Sequence, residues 1–474
     1  MITEPVLATL TQHGMDLLWQ GDPQLYGLLD NEYVRQMNTL VMVASSSIVH
    51  PSVLACEGLI AVNVTAEGYP GHRYHAGCEF VDGIEQLAID RAKTAFSAQY
   101  ANVQPHSATS ANYIVMTSLL RPGDTILGME LQYGGHLTHG SKVSLSGQYF
   151  NAYGYGLDAD ELIDYEQVAR LAREHRPRLI ICGATAYSRL VDFHRFRQIA
   201  DETGAFLLAD ISHTAGLIIA GLHPSPIDDA HFTTTCTHKQ LYGPRGGLIL
   251  MGRDHSSLAP DGRMTLAETM QRAVFPFFQG APILNAMAAK ARALAIAVTP
   301  EFKILAERIM SNAQTLAQCF LEKGYRVISG GSSNHIVVLD VASRGLTGFV
   351  AERALEESGI IVNKNRIPGD KKSAVVTSGV RLGTNTLAAR GMGANEMQRC
   401  VQLIDRVLGA IEMLGDREYY LNSSISESVR CEVKRLCLRF PLPYYPSLSD
   451  SPLNRGIDAE YLLDETEELA GLLK

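Results

Sequence analysis

The chain has 474 residues, 46% hydrophobic and 19% charged, with 41 basic against 50 acidic side chains and a formal charge of −9. That length exceeds what one compact core holds and predicts two domains with terminal arms. An acidic balance without a basic block argues against a nucleic-acid or anionic-membrane surface, and no stretch reaches the ~20 apolar residues of a membrane span. The eight cysteines are scattered, without a CxxC pair or zinc-like Cys/His spacing. No metal site is therefore expected, and the cysteines read as reduced core residues of a soluble cytoplasmic protein. The opening MITEPVLATLTQHGMDLLWQGDPQ carries early acidic residues and no uninterrupted apolar segment, so no secretory signal is expected.

In chain order, the first twenty or so residues read as helix, ending near the turn at Gly21–Pro23, and a second short helical stretch follows. A Ser- and Gly-rich segment from Ala44 to Gly77 reads as loop. Between Phe80 and Tyr100 the positions Val81, Ile84, Leu87, Ala88, Ala92 and Ala95 recur at helical spacing. Short apolar runs then alternate with amphipathic helices, the strands expected at Thr125–Met129, Leu179–Cys182, Ala205–Ala209 and Gly247–Met251. Such alternation predicts an α/β fold with a mainly parallel sheet covered on both faces. A long helix over about Pro300–Glu322 leads into a smaller domain with strands at Tyr325–Ile328 and His335–Asp340. The expected organisation is an N-terminal arm over residues 1–70, a large domain over 71–305 and a small C-terminal domain over 306–474. An acidic, polar tail begins at about Ser447.

Several constellations carry chemistry. Lys239, in Thr235-Cys236-Thr237-His238-Lys239, precedes the glycine-rich Gly243-Pro244-Arg245-Gly246-Gly247. A lysine in that setting suits a bond to an aldehyde cofactor, although alone it reads equally as a solvated surface group. Asp210 follows the apolar run Ala205–Ala209, where parallel sheets place their ligands. A carboxylate there suits a pyridinium nitrogen, with His213 bonding either that carboxylate or a cofactor hydroxyl; a helix N-cap is the alternative. Ser107-Ala108-Thr109-Ser110 reads as a helix start whose free amides suit a phosphate. His136, in Gly134-Gly135-His136-Leu137-Thr138-His139-Gly140, is placed to stack on a cofactor ring or is a plain loop histidine. Arg381, between glycines in Ser378-Gly379-Val380-Arg381-Leu382-Gly383, suits a substrate carboxylate or a structural ion pair.

Taken together, the motifs AEGYPGHRY, QLAIDRAK, YANVQPHS, GGHLTHG, IIAGLHPSP, THKQLYGPRGG, VNKN and SGVRLGT resemble serine hydroxymethyltransferase from about Ala44 to about Pro441. Even VKRLCLRFP is similar to that family's C-terminal helix and turn. The resemblance implies the aspartate-aminotransferase-like fold, PLP-dependent fold type I, with an active site built between two subunits of a homodimer or a dimer of dimers. It implies pyridoxal 5′-phosphate (PLP) as cofactor, tetrahydrofolate as co-substrate and a small amino acid as substrate. Lys239 matches the Schiff-base lysine, Asp210 the pyridinium partner, His136 the stacking histidine and Thr185 a group near the phenolic oxygen. Ser107, Ala108 and Thr109 fall at the phosphate, which Gly280 of the partner subunit joins; His213 and His238 complete the cofactor shell. Arg381 and Ser45 match the substrate-carboxylate groups. Glu67 matches the glutamate that handles protons, and Tyr74, Leu131, Gly135, Leu137 and Asn365 match the substrate and folate pocket.

Most departures from the family pattern fall on the substrate side, while the family's Ser-Gly-x-Gln phosphate loop reads Ser107-Ala108-Thr109-Ser110. The family's Ser-Glu-Asn is Ser45-Ser46-Ser47, a tyrosine two residues before the glutamate is Thr65, and the second of two adjacent tyrosines is His75. FPGxQGGP has become Phe275-Pro276-Phe277-Phe278-Gln279-Gly280-Ala281-Pro282. Exchanging tyrosine for Thr65 frees volume for a methyl group on the substrate α-carbon, and α-methylserine hydroxymethyltransferases share that threonine. The expected activity is reversible cleavage of the Cα–Cβ bond of a β-hydroxy amino acid, α-methylserine (with D-alanine) ahead of serine (with glycine), with Thr65 and His75 among the catalytic positions. A folate-independent aldolase or transaldolase is the alternative, and a non-catalytic PLP-binding homologue a remoter one.

Overall fold

The computed structural model describes residues 5–447. Its centre is a seven-stranded sheet in the order Tyr100–Asn102, Gly247–Met251, Phe232–Cys236, Phe206–Asp210, Leu179–Cys182, Thr125–Met129 and Asn151–Tyr155. Every pairing is parallel except those of Gly247–Met251, which runs antiparallel to both neighbours. Runs such as Leu179–Cys182 are buried along their whole length. They therefore need helices on both faces, which is what the α/β alternation supplies. Tyr165–His175 and Phe193–Thr203 cover one side, with Phe196 wedged against Tyr155 and Tyr165 at ring separations of 5.6 and 5.3 Å.

A second core forms around an antiparallel four-stranded sheet ordered Arg326–Val327, Ile336–Asp340, Gly379–Gly383 and Asn363–Asn365. The helix Pro300–Glu322 joins the two cores. Its first half buries Phe302, Ala306 and Ile309 in the core of the large sheet, and its second half buries Ala313, Leu316 and Phe320 in the other. It starts where the Thr299 side chain caps the Phe302 amide and Pro300 occupies the first turn. Leu40–Val41 pairs in parallel with Ile360–Ile361, which carries Leu40 and Met42 into the second core.

Three of the expected strands of the large sheet have the observed bounds, and the fourth is displaced by one residue to Phe206–Asp210. The ladder extends because Asp210 pairs with Thr234 and the next amide, of Ile211, donates to the Thr234 carbonyl at 2.9 Å. The helix expected from Phe80 runs over Glu79–Phe96 and stops at Ser97, whose φ of 54° is left-handed. Segment 44–77 is not plain loop. It holds the helix Pro51–Glu57, a 3-10 turn at Ile60–Asn63 and the hairpin Gly68–Tyr69/His72–Arg73. The strand Phe232–Cys236 escaped the apolar-run criterion because its centre is three threonines, yet it is fully buried. The late VKRLCLRFP motif ends the helix Ser423–Arg439. Beyond residue 447, the tail read from about that position lies outside the described residues. Of the cysteines, five are buried, Cys56 and Cys319 are half-buried and Cys431 is exposed, so the core reading holds for only part of the set. Among the described residues no helix is long and apolar enough to cross a membrane.

Phe196→Ala removes a fully buried ring from between a helix and the sheet. It is expected to lower unfolding stability by about 3–5 kcal/mol, read as a fall in the urea midpoint.

Candidate active site

A cavity of about 640 Å³ opens at the carboxyl ends of the parallel strands, the place where open α/β sheets bind ligands. Three strand ends feed it: His136 lies beyond Met129, Thr185 beyond Cys182 and Lys239 beyond Cys236. Ser45, Ser46 and Ser47 line it from the segment before Pro51, and Arg381 and Asn365 line it from the antiparallel sheet. Leu131, Gly135 and Leu137 also line it, both leucines largely exposed in the single chain.

Asp210 lies behind the cavity, buried at the end of its strand. Its Oδ2 accepts from Asn112 Nδ2 at 2.8 Å and from His139 Nε2 at 3.2 Å, and its Oδ1 accepts from the amide and hydroxyl of Ser212 at 3.0 and 2.6 Å. Burial alone pushes this carboxyl up, but the His139 hydrogen bond, the electrostatic pull of the neighbouring imidazoles and the Ser212 bond outweigh it. The net result holds Asp210 well below the usual carboxylate range. The tautomer of His139 follows from its contacts. Its Nδ1 accepts from the His136 amide at 3.3 Å, so the ring proton sits on Nε2 and points to Asp210. Asn112 is fixed in the same way, giving its two protons to Thr138 Oγ1 and Asp210 and accepting from Thr234 Oγ1. His136, His139 and Asp210 bring potential metal-ligand atoms within 4.8 Å of one another. These hydrogen bonds account for that closeness.

His139, Asn112 and Ser212 were not among the residues singled out from sequence. His139 stands in the GGHLTHG motif, and Ser212 follows an Asp by two, the spacing of a local side-chain turn. Asn112 has no local signal. Contrary to one expectation, the histidine on Asp210 is His139 and not His213. His213 lines the cavity and lies against His335, rings 5.6 Å apart and near-parallel, with Nδ1 3.5 Å from His335 Nε2. Burial first, and then Lys239 and Arg381, pulls His213 well down. His136 is lowered to about 4 by burial and then by His139, and His238 to about 4 by burial and then by Arg245 and Lys239.

Ser107 caps the helix Ala108–Leu119, its Oγ accepting from the Ser110 amide at 3.0 Å and its carbonyl taking the Ala111 amide. The amides of Ala108 and Thr109 are left without an acceptor among the described residues, the arrangement that suits a phosphate. One turn on, the same helix supplies Asn112 to Asp210. At the other end of the site Arg381 donates from Nε to Asn363 Oδ1 at 3.1 Å and from Nη1 to the Thr185 carbonyl. Burial pulls it down to about 10, so it is a cation at neutral pH, and among the described residues it has no carboxylate partner. The residues present fit PLP: a lysine in the cavity, an ionised carboxylate behind it and a helix start with open amides.

Thr65, Glu67, Tyr74, His75 and Gly280 do not line this cavity. They form a second group carried by the hairpin at residues 68–73 and the segment after Phe278. Glu67 Oε2 lies 3.5 Å from His75 Nε2, and a β-carbon at Gly280 would sit 3.6 Å from Glu67 Oε1. Tyr74 is exposed over the edge of Phe275, ring centroids 5.7 Å apart. Behind the hairpin the buried Arg73 guanidinium bonds Asp82 at 2.7 Å and Glu85 at 2.5 Å, which fixes the display of the group.

His335 is fully buried, pulled down to about 3 by burial and then by Arg381, while its Nε2 donates to the Ala44 carbonyl at 3.2 Å. Its folded value lies below its unfolded value near 6.5, so the unfolded chain binds the extra proton as pH falls. Stability conferred by the neutral ring is therefore present above pH 6.5 and is lost towards pH 3. His335→Leu is expected to flatten the fall in urea midpoint between pH 6.5 and 5; an unchanged slope would contradict the assignment.

A family model described as "Serine hydroxymethyltransferase" matches residues 18–404. A relative named serine hydroxymethyltransferase from Cyanothece sp. (strain PCC 7425 / ATCC 29141) is 46% identical over 446 residues, covering 94% of this chain and 100% of the relative. Another of that name, from Chlorobium phaeovibrioides (strain DSM 265 / 1930), is 46% identical over 439 residues, covering 91% of this chain and 98% of the relative. The chain thus belongs to the serine hydroxymethyltransferase family, PLP-dependent one-carbon transferases of fold type I that use tetrahydrofolate as co-substrate.

Proposed function

We propose that the amino acid handled here carries a methyl group at Cα, so that the reaction interconverts α-methylserine and D-alanine while the hydroxymethyl carbon passes to or from tetrahydrofolate. The observation that carries this reading is Thr65, a short side chain two residues before Glu67 on the outward-facing segment, where the family carries tyrosine. A phenol there fills the space beside the α-carbon, whereas threonine leaves room for one more methyl.

PLP, when bound, supplies an electron sink for the pair released as the Cα–Cβ bond breaks. Lys239 would offer the amine for its aldehyde, the Ala108 and Thr109 amides would hold its phosphate, and His136 would line its ring. Asp210, kept anionic by His139, Asn112 and Ser212, would keep a proton on the ring nitrogen. Arg381, a half-buried guanidinium without a carboxylate partner among the described residues, would bind the substrate carboxylate with Ser45 and so orient Cα. Glu67, beside His75, takes the proton of the substrate hydroxyl as the carbon departs at the oxidation level of formaldehyde. The leucines 131 and 137 and Asn365 form the folate side of the cavity.

Glu67, Thr65, Tyr74, His75 and Gly280 lie outside the cavity of their own chain, so they complete the cavity of a second copy. Lys239→Ala and Glu67→Gln are each expected to lose turnover. Refolded together as a random mixture, they are expected to recover about a quarter of wild-type activity, because half the dimers then hold one intact site of two. No recovery would mean that both residues serve one chain's site.

The substituent is tested by turnover of L-serine and α-methyl-L-serine with and without tetrahydrofolate as acceptor, and of glycine and D-alanine with and without 5,10-methylenetetrahydrofolate as one-carbon donor. Folate-dependent turnover of D-alanine or α-methylserine is expected, and Thr65→Tyr is expected to reduce it by about tenfold or more while sparing glycine. Turnover of serine and glycine alone would assign an ordinary serine enzyme.

A further inference from the structure

Lys290 belongs to none of the motifs above, yet it is buried in the helix Leu284–Ala297. Its Nζ donates to three backbone carbonyls, Val103 at 2.6 Å, Gly247 at 3.0 Å and Pro105 at 3.1 Å. Three acceptors need three N–H groups, and a neutral amine has two, so this bonding pattern is that of the ammonium. Burial pulls the group down to about 7, with Glu85 acting the other way. Glu85 itself is taken by Arg73 and Gln104 and does not bond the lysine.

The three carbonyls share a location. Val103 and Pro105 belong to the turn between the strand Tyr100–Asn102 and the helix that opens at Ala108, and Gly247 begins the strand beside that turn. Gln279 holds the rest of the turn, donating to the Gln104 carbonyl at 3.0 Å and accepting from the His106 amide at 3.1 Å. The turn ends on Ser107, the cap of the helix. Room for the ammonium depends on Gly246, where a β-carbon would lie 2.2 Å from Lys290 Cε. A buried cation bonded only to neutral carbonyls is costly to fold, and an anion bound at the adjoining helix start would offset that cost.

We propose that Lys290 is a positioning residue for the cofactor phosphate: its ammonium clamps the 103–105 turn so that the Ala108 and Thr109 amides stay aimed outward, and its charge favours a dianion at that helix start. This rests on the reading of Ser107–Thr109 as the phosphate cradle. The test is an equilibrium titration of the full-length, cofactor-stripped chain with PLP and, separately, with pyridoxal, which lacks the phosphate. The wild type is expected to prefer PLP strongly. Lys290→Met is expected to weaken PLP by about tenfold or more while leaving pyridoxal within about twofold, a split that general unfolding does not produce. Lys290→Arg keeps the charge but cannot meet three convergent carbonyls, so it is expected to fall between the two; it decides the matter in the same terms if the methionine variant is insoluble. The same preference for PLP in the wild type and in a soluble variant would overturn the role of Lys290. Equal binding of PLP and pyridoxal by the wild type would instead overturn the phosphate cradle, and the role of Lys290 with it.

Discussion

A carboxylate at the end of a buried strand stays ionised only if its surroundings replace the water it has lost, and the site is organised around meeting that condition at Asp210. Four donor contacts converge on its two oxygens, from Asn112, His139 and the amide and hydroxyl of Ser212. Each donor is itself held. Asn112 is fixed by Thr138 and Thr234, and His139 by the His136 amide. The glycine after the neighbouring strand belongs to the same device. Gly183 has φ of 133°, and a β-carbon there would meet the Asp210 carbonyl at 2.2 Å, so a side chain would drive the two strand ends apart. The result is a fixed negative charge whose position is set by the sheet and by one helix.

Around that anion the cavity carries a surplus of cations and of histidines that resist becoming cations. Arg381 and Lys239 line it, and His213, His238 and His136 beside them are all pulled down, with burial the first cause. Charge on those histidines would add to the repulsion from Lys239, which acts on each of them. A cavity of this kind favours ligands that bring negative charge, as a phosphate and an amino-acid carboxylate do, although the whole chain carries a formal charge of −9. Local donors therefore decide ligand sign here, and the distant field contributes little once screened.

Much of the architecture was legible because it follows from periodicity. The apolar runs at 125–129, 179–182 and 247–251 are strands with those bounds, and the helix from Pro300 has its cap, its proline and its full length in sequence. Periodicity fails where burial is not apolar. The threonine strand 232–236 is buried with the Thr234 hydroxyl bonded to Asn112 and that of Thr235 to the Cys236 carbonyl. It fails again at 44–77, where the short helix and the hairpin are held by long-range contacts such as Arg73 to Asp82 and Glu85. The residues around Asp210 show the same limit, since Asn112 and Asp210 are ninety-eight positions apart.

By itself the sequence determined the family and the fold class and offered candidate side chains for the site, because long motifs and hydrophobic periods are properties of neighbouring residues. Tertiary structure decided which of those side chains meet. His139, not His213, holds Asp210, and Lys290 reaches three carbonyls that sequence separates from it by more than forty positions. Glu67 and Tyr74 stand apart from the cavity that holds Lys239 and Arg381. The physical reason is common to all three: hydrogen bonds and buried charges are satisfied by groups close in space, and only the packed sheets and helices bring those groups together.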